Sequence, residues 1–399
     1  MIEKNKKIVF VAMSGGVDSA VSAALIKEQG YKVVGVFIKT WHPDFLECNE
    51  EEERRDAMRI AAHLDIPFLT FDFENIYKKE VADYMINEYK MGRTPNPDVM
   101  CNKYVKFGAF LKKALSMGAD FVATGHYAQI GEEKSYFSRD YPASHRHHSK
   151  KNFFLRPAID NSKDQSYFLW TLNKTQLAKI LFPVGHLKKS EVRTLAKKFN
   201  LPVAQKKDSQ GICFLGAIDL KEFLKHYIKP KKGKVVNEKG ETIGHHDGAV
   251  FYTLGERHGF IITKKTSSDG PYYVVGKNVK KNILVVSQYK NLKNFSVFAL
   301  GGRKTGDPRR FKFSNFCLVT KNTNWISEIP KPNKSYIAQI RYHGELLSCK
   351  VKITTKTKAE SLEHSRRAEI IFTQPVLVAS GQSCVIYDKD ICLGGGIVV

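Results

Sequence analysis

Three short stretches of this chain combine residue types that can do chemistry. The first, Ser14-Gly15-Gly16-Val17-Asp18-Ser19, follows directly on the apolar run Ile8-Val9-Phe10-Val11-Ala12-Met13. Glycines let a backbone approach a ligand closely, and the hydroxyls and unpaired N–H groups at a helix start suit an anion. The spacing differs from the phosphate loop that ends in Gly-Lys-Ser/Thr, because no lysine sits inside the turn. An ordinary strand-to-helix turn of small residues is the plain alternative. The second stretch, Asn96-Pro97-Asp98-Val99-Met100-Cys101-Asn102, puts a thiol in a proline-marked loop just before a helix expected over 102–117. The positive end of a helix dipole favours a thiolate, and Asp98 could steer a proton or hold a substrate. The third, Asp208-Ser209-Gln210-Gly211-Ile212-Cys213-Phe214, sets another cysteine beside a glycine, with Lys206 and Lys207 close by. Either cysteine alone is more often buried filler than reagent. Two of them in polar, charge-rich loops shift that balance.

The elements around these stretches follow from apolar patterning. Strands are expected at Lys7–Met13, Lys32–Thr40, Pro67–Phe73 and Asp120–Gly125, with helices at 17–29, 50–64, 74–90 and 102–117. Alternation of this kind, with continuous apolar strands, predicts an α/β fold whose parallel sheet is covered on both faces. Ligands bind such sheets beyond the carboxyl ends of the strands. The glycine loop, Ile38-Lys39-Thr40, Asp72 and Gly125-His126 then line one edge. Gly131 to Asn152 breaks the pattern with the cluster His145-Arg146-His147-His148, which is either a metal-binding group or, in the plainer reading, a flexible basic loop. Helical spacing returns from Lys163 to Leu201, with a serine cap expected at Ser190. After Gly216 a helix over Leu220–Ile228 precedes glycine-punctuated strands at Lys234–Val236, Val250–Thr253, Tyr272–Val275 and Ile283–Val286. Period-two segments dominate from Ser296 onward. Three domains are therefore expected: 1–216 with a flexible insertion at 131–152, a small central β-rich domain over 217–292, and an antiparallel β-barrel over 293–399.

Composition bounds the partners. The 399 residues hold 64 Lys and Arg against 40 Asp and Glu, a net charge of +24. Such a field attracts polyanions, nucleic acid first among them. The excess gathers in Lys221–Lys239, Lys277–Lys293 and Arg303–Lys312, away from the glycine loop, which favours a large anion over a nucleotide alone. Solubility is the alternative account. Seven cysteines without a Cys-x-x-Cys pair give little support to a disulfide scaffold or a zinc ribbon. No apolar run reaches 18 residues, and the amino terminus enters the first strand at once, so a cytoplasmic protein is expected.

The glycine loop resembles the pyrophosphate loop of the ATP pyrophosphatases. The chain as a whole resembles the tRNA-specific 2-thiouridylases within that superfamily. Beside the three stretches above, the likeness rests on Ala123-Thr124-Gly125-His126-Tyr127, Lys163-Asp164-Gln165-Ser166-Tyr167, Gly276, Arg341-Tyr342, Pro375, Gly381-Gln382 and Leu393-Gly394-Gly395-Gly396. It covers nearly the whole chain in order.

The resemblance implies ATP-dependent 2-thiolation of the wobble uridine of tRNA, by adenylation of the uracil C2 oxygen and sulfur transfer from a cysteine persulfide. ATP would lie on Ala12, Met13, Ser14, Gly15, Gly16, Val17, Asp18, Ser19, Ile38 and Gly125, with Asp18 helping to hold Mg2+ beside the pyrophosphate. Ile38 stands where the family often has methionine, a change that keeps an apolar contact. Cys213 would carry the persulfide and Cys101 would be the second thiol, leaving a transient Cys101–Cys213 disulfide. Asp98 would act as acid, base or base-positioning group. Asn96, Pro97 and Asp98 would flank the target base. His126, Lys163, Asp164, Gln165, Arg341, Tyr342 and Gln382 would touch RNA. Read without the family, Arg341 and Tyr342 form a strand surface pair, and His126 serves equally as a cap or core histidine. A sulfur-carrier protein or a cysteine desulfurase is the implied sulfur donor, and a monomer is expected.

Overall fold

The computed structural model describes residues 6–46, 49–135, 150–208, 219–264, 269–288, 296–298, 310–312, 316–355 and 366–399. Strands β1 (Ile8–Ala12), β2 (Lys32–Lys39), β3 (Phe68–Asp72) and β4 (Phe121–Ala123) form a parallel sheet with the short strand Ile180–Leu181. Its order is β3-β2-β1-β4 followed by Ile180–Leu181. In β1 the period of two divides the apolar side chains between two cores: Val9 and Val11 enter one, Phe10 the other. Helices α1 (Val17–Glu28) and α2 (Glu50–His63) follow β1 and β2. The chain leaves β1 toward β2 and β3, then returns to β4 on the opposite side of β1. The carboxyl ends of β1 and β4 therefore flank the crevice where such sheets bind ligands.

Two helical expectations change in detail. Residues 74–90 are helical throughout, but Lys78–Asp83 winds in wider turns between Glu74–Tyr77 and Tyr84–Lys90. The helix expected over 102–117 begins earlier, at Pro97, where Asn96 Oδ1 accepts from Val99 N at 3.3 Å. It continues through a wide-turned segment, Cys101–Phe110, to Leu111–Ser116. Proline at a first helical position gives up no hydrogen bond, so the sequence mark of a loop is here the mark of a helix start.

The middle of the chain builds a mixed five-stranded sheet in which Gly233–Val236 pairs in parallel with Ile283–Ser287. Val250–Thr253 is not a strand; Ala249–Phe251 makes a tight turn that buries Phe251 and Tyr252. A short apolar run has no periodicity to tell a strand from a buried turn. The six strands Cys317–Trp325, Ser335–Gln339, Leu346–Thr355, Arg366–Phe372, Ser383–Asp388 and Ile391–Val398 form an antiparallel barrel, closed where Thr320 pairs with Val398. Closure removes the exposed edges.

The expectation of a flexible loop over 131–152 is corrected at both ends. Residues 131–135 and 150–152 belong to a hairpin, β5 (Ala128–Ser135) and β6 (Lys150–Pro157), and β6 extends the barrel sheet through Leu155 opposite Cys392. The histidines at 145, 147 and 148 lie outside the described residues. Among those residues, no helix is long and apolar enough to cross a membrane.

The barrel is locked to the parallel-sheet unit by buried polar contacts. Trp170 Nε1 donates to Ser383 Oγ at 3.0 Å, and Tyr167 Oη to the Ser383 carbonyl at 2.9 Å. Asn324 Nδ2 donates to the carbonyls of Trp170 and Leu172 at 2.8 and 2.7 Å.

Candidate active site

The glycine loop is assembled by local hydrogen bonds. Ser14 N donates to Ser19 Oγ at 3.2 Å, and Ser19 Oγ donates to the Gly16 carbonyl at 3.1 Å. Gly15 has φ +70°, a left-handed conformation that favours glycine. Gly125, after β4, meets the start of α1 so closely that a Cβ there would lie 2.7 Å from Ser19 N. Ser14 is exposed, Asp18 half-buried and Met13 buried; Ile38 is half-buried near the end of β2. The loop after β1, the end of β2 and Gly125 thus occupy one edge, as patterning predicts. The loop places the exposed Ser14 hydroxyl at this edge, a group suited to phosphate oxygens.

Beside this loop lies a charge network that sequence reading missed. Lys189 Nζ donates to both carboxylate oxygens of Asp18, at 2.7 and 2.8 Å, and Tyr127 Oη donates to Asp18 at 2.8 Å. The same ammonium pairs with Asp208 at 2.9 Å. Asp208 also receives Lys163 Nζ at 3.0 Å and the Arg193 guanidinium. Lys189 stands at the first position of the helix Lys189–Lys198, so Ser190 is inside the helix and not its cap. Glu191 Oε2 accepts from Lys188 N at 2.7 Å and Asp160 Oδ2 from Lys189 N at 2.9 Å. A basic side chain opening a helix was the available signal; its partner is 171 residues away.

This network sets a stability prediction. Hydrogen bonds from Lys189 and Lys163, against an opposing burial effect, hold the Asp208 carboxyl down at about 2 from an ordinary 3.8. A depressed carboxylate stabilises the fold above its unfolded value and loses that contribution as pH falls through the folded one. Asp208→Asn is expected to lower the unfolding free energy by about 2 kcal/mol at pH 7. The deficit shrinks between roughly pH 4 and 2, as read by urea midpoints of both proteins across that range. A constant deficit would deny the pairing its role.

The second cluster centres on the helix that starts at Pro97. Cys101 is 5% exposed and more than a turn beyond the Asn96 cap. It is therefore not at the helix terminus, and the dipole has faded at that depth, which corrects the expected placement. Cys101 begins the wide-turned segment, a feature frequent at functional sites. Burial raises the Asp98 carboxyl above the ordinary carboxylate range, with Lys106 opposing. Thr94, just before this helix, is clasped by the barrel. Its N–H donates to the Ser380 carbonyl at 2.8 Å, and its carbonyl accepts from Gln382 Nε2 at 2.9 Å. Gly381, at φ +95°, presses against the Thr94 backbone. Gln382 therefore acts first as a strut for the Asn96–Asp98 segment.

Arg341 and Tyr342 occupy the turn after strand Ser335–Gln339 rather than a strand surface. Arg341 is exposed. Tyr342 packs on Phe168 with ring centroids 4.4 Å apart; burial raises its hydroxyl pKa, and the charges of Asp164 and Asp98 add to this. Several expected RNA contacts are engaged internally. His126 is 7% exposed, packs between Phe107 and Phe182, and bonds through Nδ1 to Thr124 Oγ1 at 2.7 Å. Burial, aided by Lys106, pushes its pKa well down, so in this structure it is a neutral core histidine. Gln165 ties down the Tyr127 backbone with two hydrogen bonds, Oε1 from Tyr127 N at 3.0 Å and its own N–H to the Tyr127 carbonyl at 2.8 Å. Asp164 accepts from Ala158 N, Ser166 N and Ser166 Oγ. Lys163 belongs to the Asp208 network. Cys213 lies outside the described residues.

Among the described residues, no three His, Cys, Asp or Glu side chains form a metal-binding group. Asp18 offers one carboxylate, which suits a Mg2+ held mainly by substrate phosphates.

Comparison with known proteins matches three families along the chain. The tRNA methyl transferase HUP domain covers residues 7–217, the tRNA methyl transferase PRC-barrel domain 221–288, and the aminomethyltransferase beta-barrel domain 315–398. A protein of Buchnera aphidicola named tRNA-specific 2-thiouridylase MnmA is 42% identical over 405 aligned positions, spanning 100% of this chain and 98% of that one. The protein of that name from Streptococcus thermophilus is 41% identical, spanning 100% and 96%. Among solved structures, the U34-tRNA thiolase NcsA from Methanococcus maripaludis matches 56% of this chain and 67% of its own, at TM-score 0.32 and 15% identity. Identity at this level over the full length of both chains means that the chain belongs to the tRNA-specific 2-thiouridylase family.

Proposed function

We propose that this protein is a tRNA-uridine 2-sulfurtransferase that activates the wobble uridine with ATP and replaces its C2 oxygen by sulfur. The observation that carries the reading is the joining of two sites in one unit. A lysine-free glycine loop sits at the sheet crevice, and the barrel clasps the segment that leads into the Cys101 helix through Gln382 and Thr94.

A carbonyl oxygen is a very poor leaving group, so it must first be converted into one. Ser14 to Ser19 and Gly125 would hold the ATP phosphates, with the Ile38 side chain against the base. The uracil oxygen attacks the α-phosphorus; the α–β bond breaks and pyrophosphate leaves. Lys189, which pairs with Asp18 at 2.7 Å, would turn to the phosphate oxygens. Mg2+ beside Asp18 would neutralise phosphate charge. Asp98 accepts the uracil N3 proton as negative charge moves to the oxygen. The terminal sulfur of a Cys213 persulfide then bonds C2 and AMP departs with the oxygen, after which the Cys101 thiolate attacks the Cys213 sulfur and breaks the S–S bond. Alternatively Cys101 makes that attack first and the released hydrosulfide displaces AMP. A Cys101–Cys213 disulfide remains for reduction. The persulfide sulfur comes from a carrier protein or a desulfurase. The base reaches the pocket only by leaving its loop stack.

Unmodified tRNA should stimulate conversion of ATP to AMP, with one sulfur per tRNA found by mass spectrometry. Stimulation by a small carboxylic acid instead would replace this reading with a small-molecule ligase. Asp98→Asn should lower kcat about a hundredfold with little change in KM for ATP. Because burial raises the Asp98 carboxyl, its proton persists to higher pH. The rate of the unaltered protein should therefore climb with pH through an inflection above the ordinary aspartate value, and the variant should lack it. An inflection retained in the variant would assign the proton transfer elsewhere.

A further inference from the structure

The turn after strand Ser335–Gln339 carries more than Arg341 and Tyr342. The next residue, His343, lies face to face with Tyr342, ring centroids 3.9 Å apart and planes 25° apart. Tyr342 in turn packs on Phe168 at 4.4 Å, with Tyr167 at 6.3 Å behind it. The three rings Phe168, Tyr342 and His343 therefore form a row, the first pair tilted by 46° and the second stacked. Its inner end is anchored to the buried Tyr167, and its outer end is the exposed His343.

The outermost ring is held by the backbone. His343 has φ +53°, in the left-handed region, and Gly344 N donates to the Arg341 carbonyl at 2.9 Å to close the turn. A non-glycine residue held in that region marks a place where the surrounding structure imposes a conformation. His343 also acts electrostatically on Asp164, whose carboxylate accepts from Ala158 N, Ser166 N and Ser166 Oγ. The row is tied to the Cys101 helix, where Asn102 Nδ2 donates to the Phe168 carbonyl at 3.3 Å. A row of aromatic rings ending in solvent next to that helix has the form of a stacking platform for single-stranded nucleic acid.

We propose that His343 is the terminal step of this platform and stacks on an unpaired RNA base adjacent to the reacting uridine. The inference rests on the RNA-thiolation reading above and extends it to a residue that selects the anticodon loop by its splayed bases. When the target base leaves its stack, its neighbour loses a stacking partner, and the imidazole supplies a replacement.

The test pairs protein variants with an anticodon stem-loop RNA in which either nucleotide flanking the target is made abasic. His343→Asn removes the ring yet tolerates the left-handed backbone; His343→Phe keeps a ring without the imidazole. Binding is read by fluorescence anisotropy at fixed salt. His343→Asn is expected to weaken the intact stem-loop about tenfold, and His343→Phe to restore it. One abasic RNA should bind the unaltered protein and His343→Asn equally, since coupled groups lose their effect together. Equal weakening on intact and both abasic RNAs, or none on the intact RNA, overturns the platform. Sulfur incorporation by the unaltered protein is measured in parallel. Its absence alongside the coupled binding pattern sinks the thiolation reading while the platform stands, and its presence without coupling does the reverse.

Discussion

Cys101→Ser is expected to abolish sulfur transfer to tRNA, by at least roughly ten-thousandfold, because the loss of one member of a paired covalent mechanism removes the whole reaction. Adenylation needs no thiol, so tRNA-dependent release of pyrophosphate should persist as a single turnover. The variant must also fold. Cys101 lies in a buried apolar cluster with Val99, Val105 and Phe107, and a serine hydroxyl there costs about 1–3 kcal/mol if it finds no partner. A thermal midpoint measured beside the activity separates unfolding from lost chemistry. Cys213→Ser should give the same loss of thiolation. Sulfur incorporation at the normal rate in both variants would end the two-thiol mechanism.

Affinity for tRNA should fall about a thousandfold between roughly 50 and 200 mM salt, if six to ten phosphates are neutralised. The fold gives this expectation a location. Lys221–Lys239 and Lys277–Lys293 are separate runs in the sequence, yet Gly233–Val236 pairs directly with Ile283–Ser287 and brings them onto one sheet. Lys229, Lys231, Lys232, Lys234, Lys239, Lys280 and Lys281 are all exposed. Lys221, Lys225 and Lys277 are engaged internally: Lys221 donates to Tyr252 Oη at 2.9 Å, Lys225 to Glu222 at 2.7 Å, and Lys277 to the Tyr252 carbonyl at 2.5 Å, where burial pulls its pKa down to about 8. A titration of binding against salt decides the matter. A flat response would leave the lysines as solubilising charge only, and replacing Lys231 and Lys232 together by alanine should reduce the slope by about two.

What the sequence determined by itself was whatever is decided within a few residues. The turn at Ser14–Ser19 and the helix after it follow from glycine, hydroxyl and apolar positions that are neighbours in the chain. The parallel sheet follows equally from strand and helix periods read one segment at a time, and the barrel from period-two runs. The start of the Cys101 helix was misplaced by five residues, from 102 to 97, because proline marks both loops and first helical positions.

Tertiary structure alone decided which charged and aromatic groups meet. Lys189 pairs with Asp18, Gln382 braces Thr94, and Tyr342 packs on Phe168, across separations of 171, 288 and 174 residues (342 − 168). No local pattern encodes such distances. The same applies to His126, whose place at a strand end next to Gly125 reads as a site, but whose ring is enclosed by Phe107 and Phe182 from other elements. Local propensity fixes a segment's own shape. Burial and pairing depend on the packing of segments far apart in the chain, and this packing gives Gln165 and Asp164 internal hydrogen bonds that no local pattern announces.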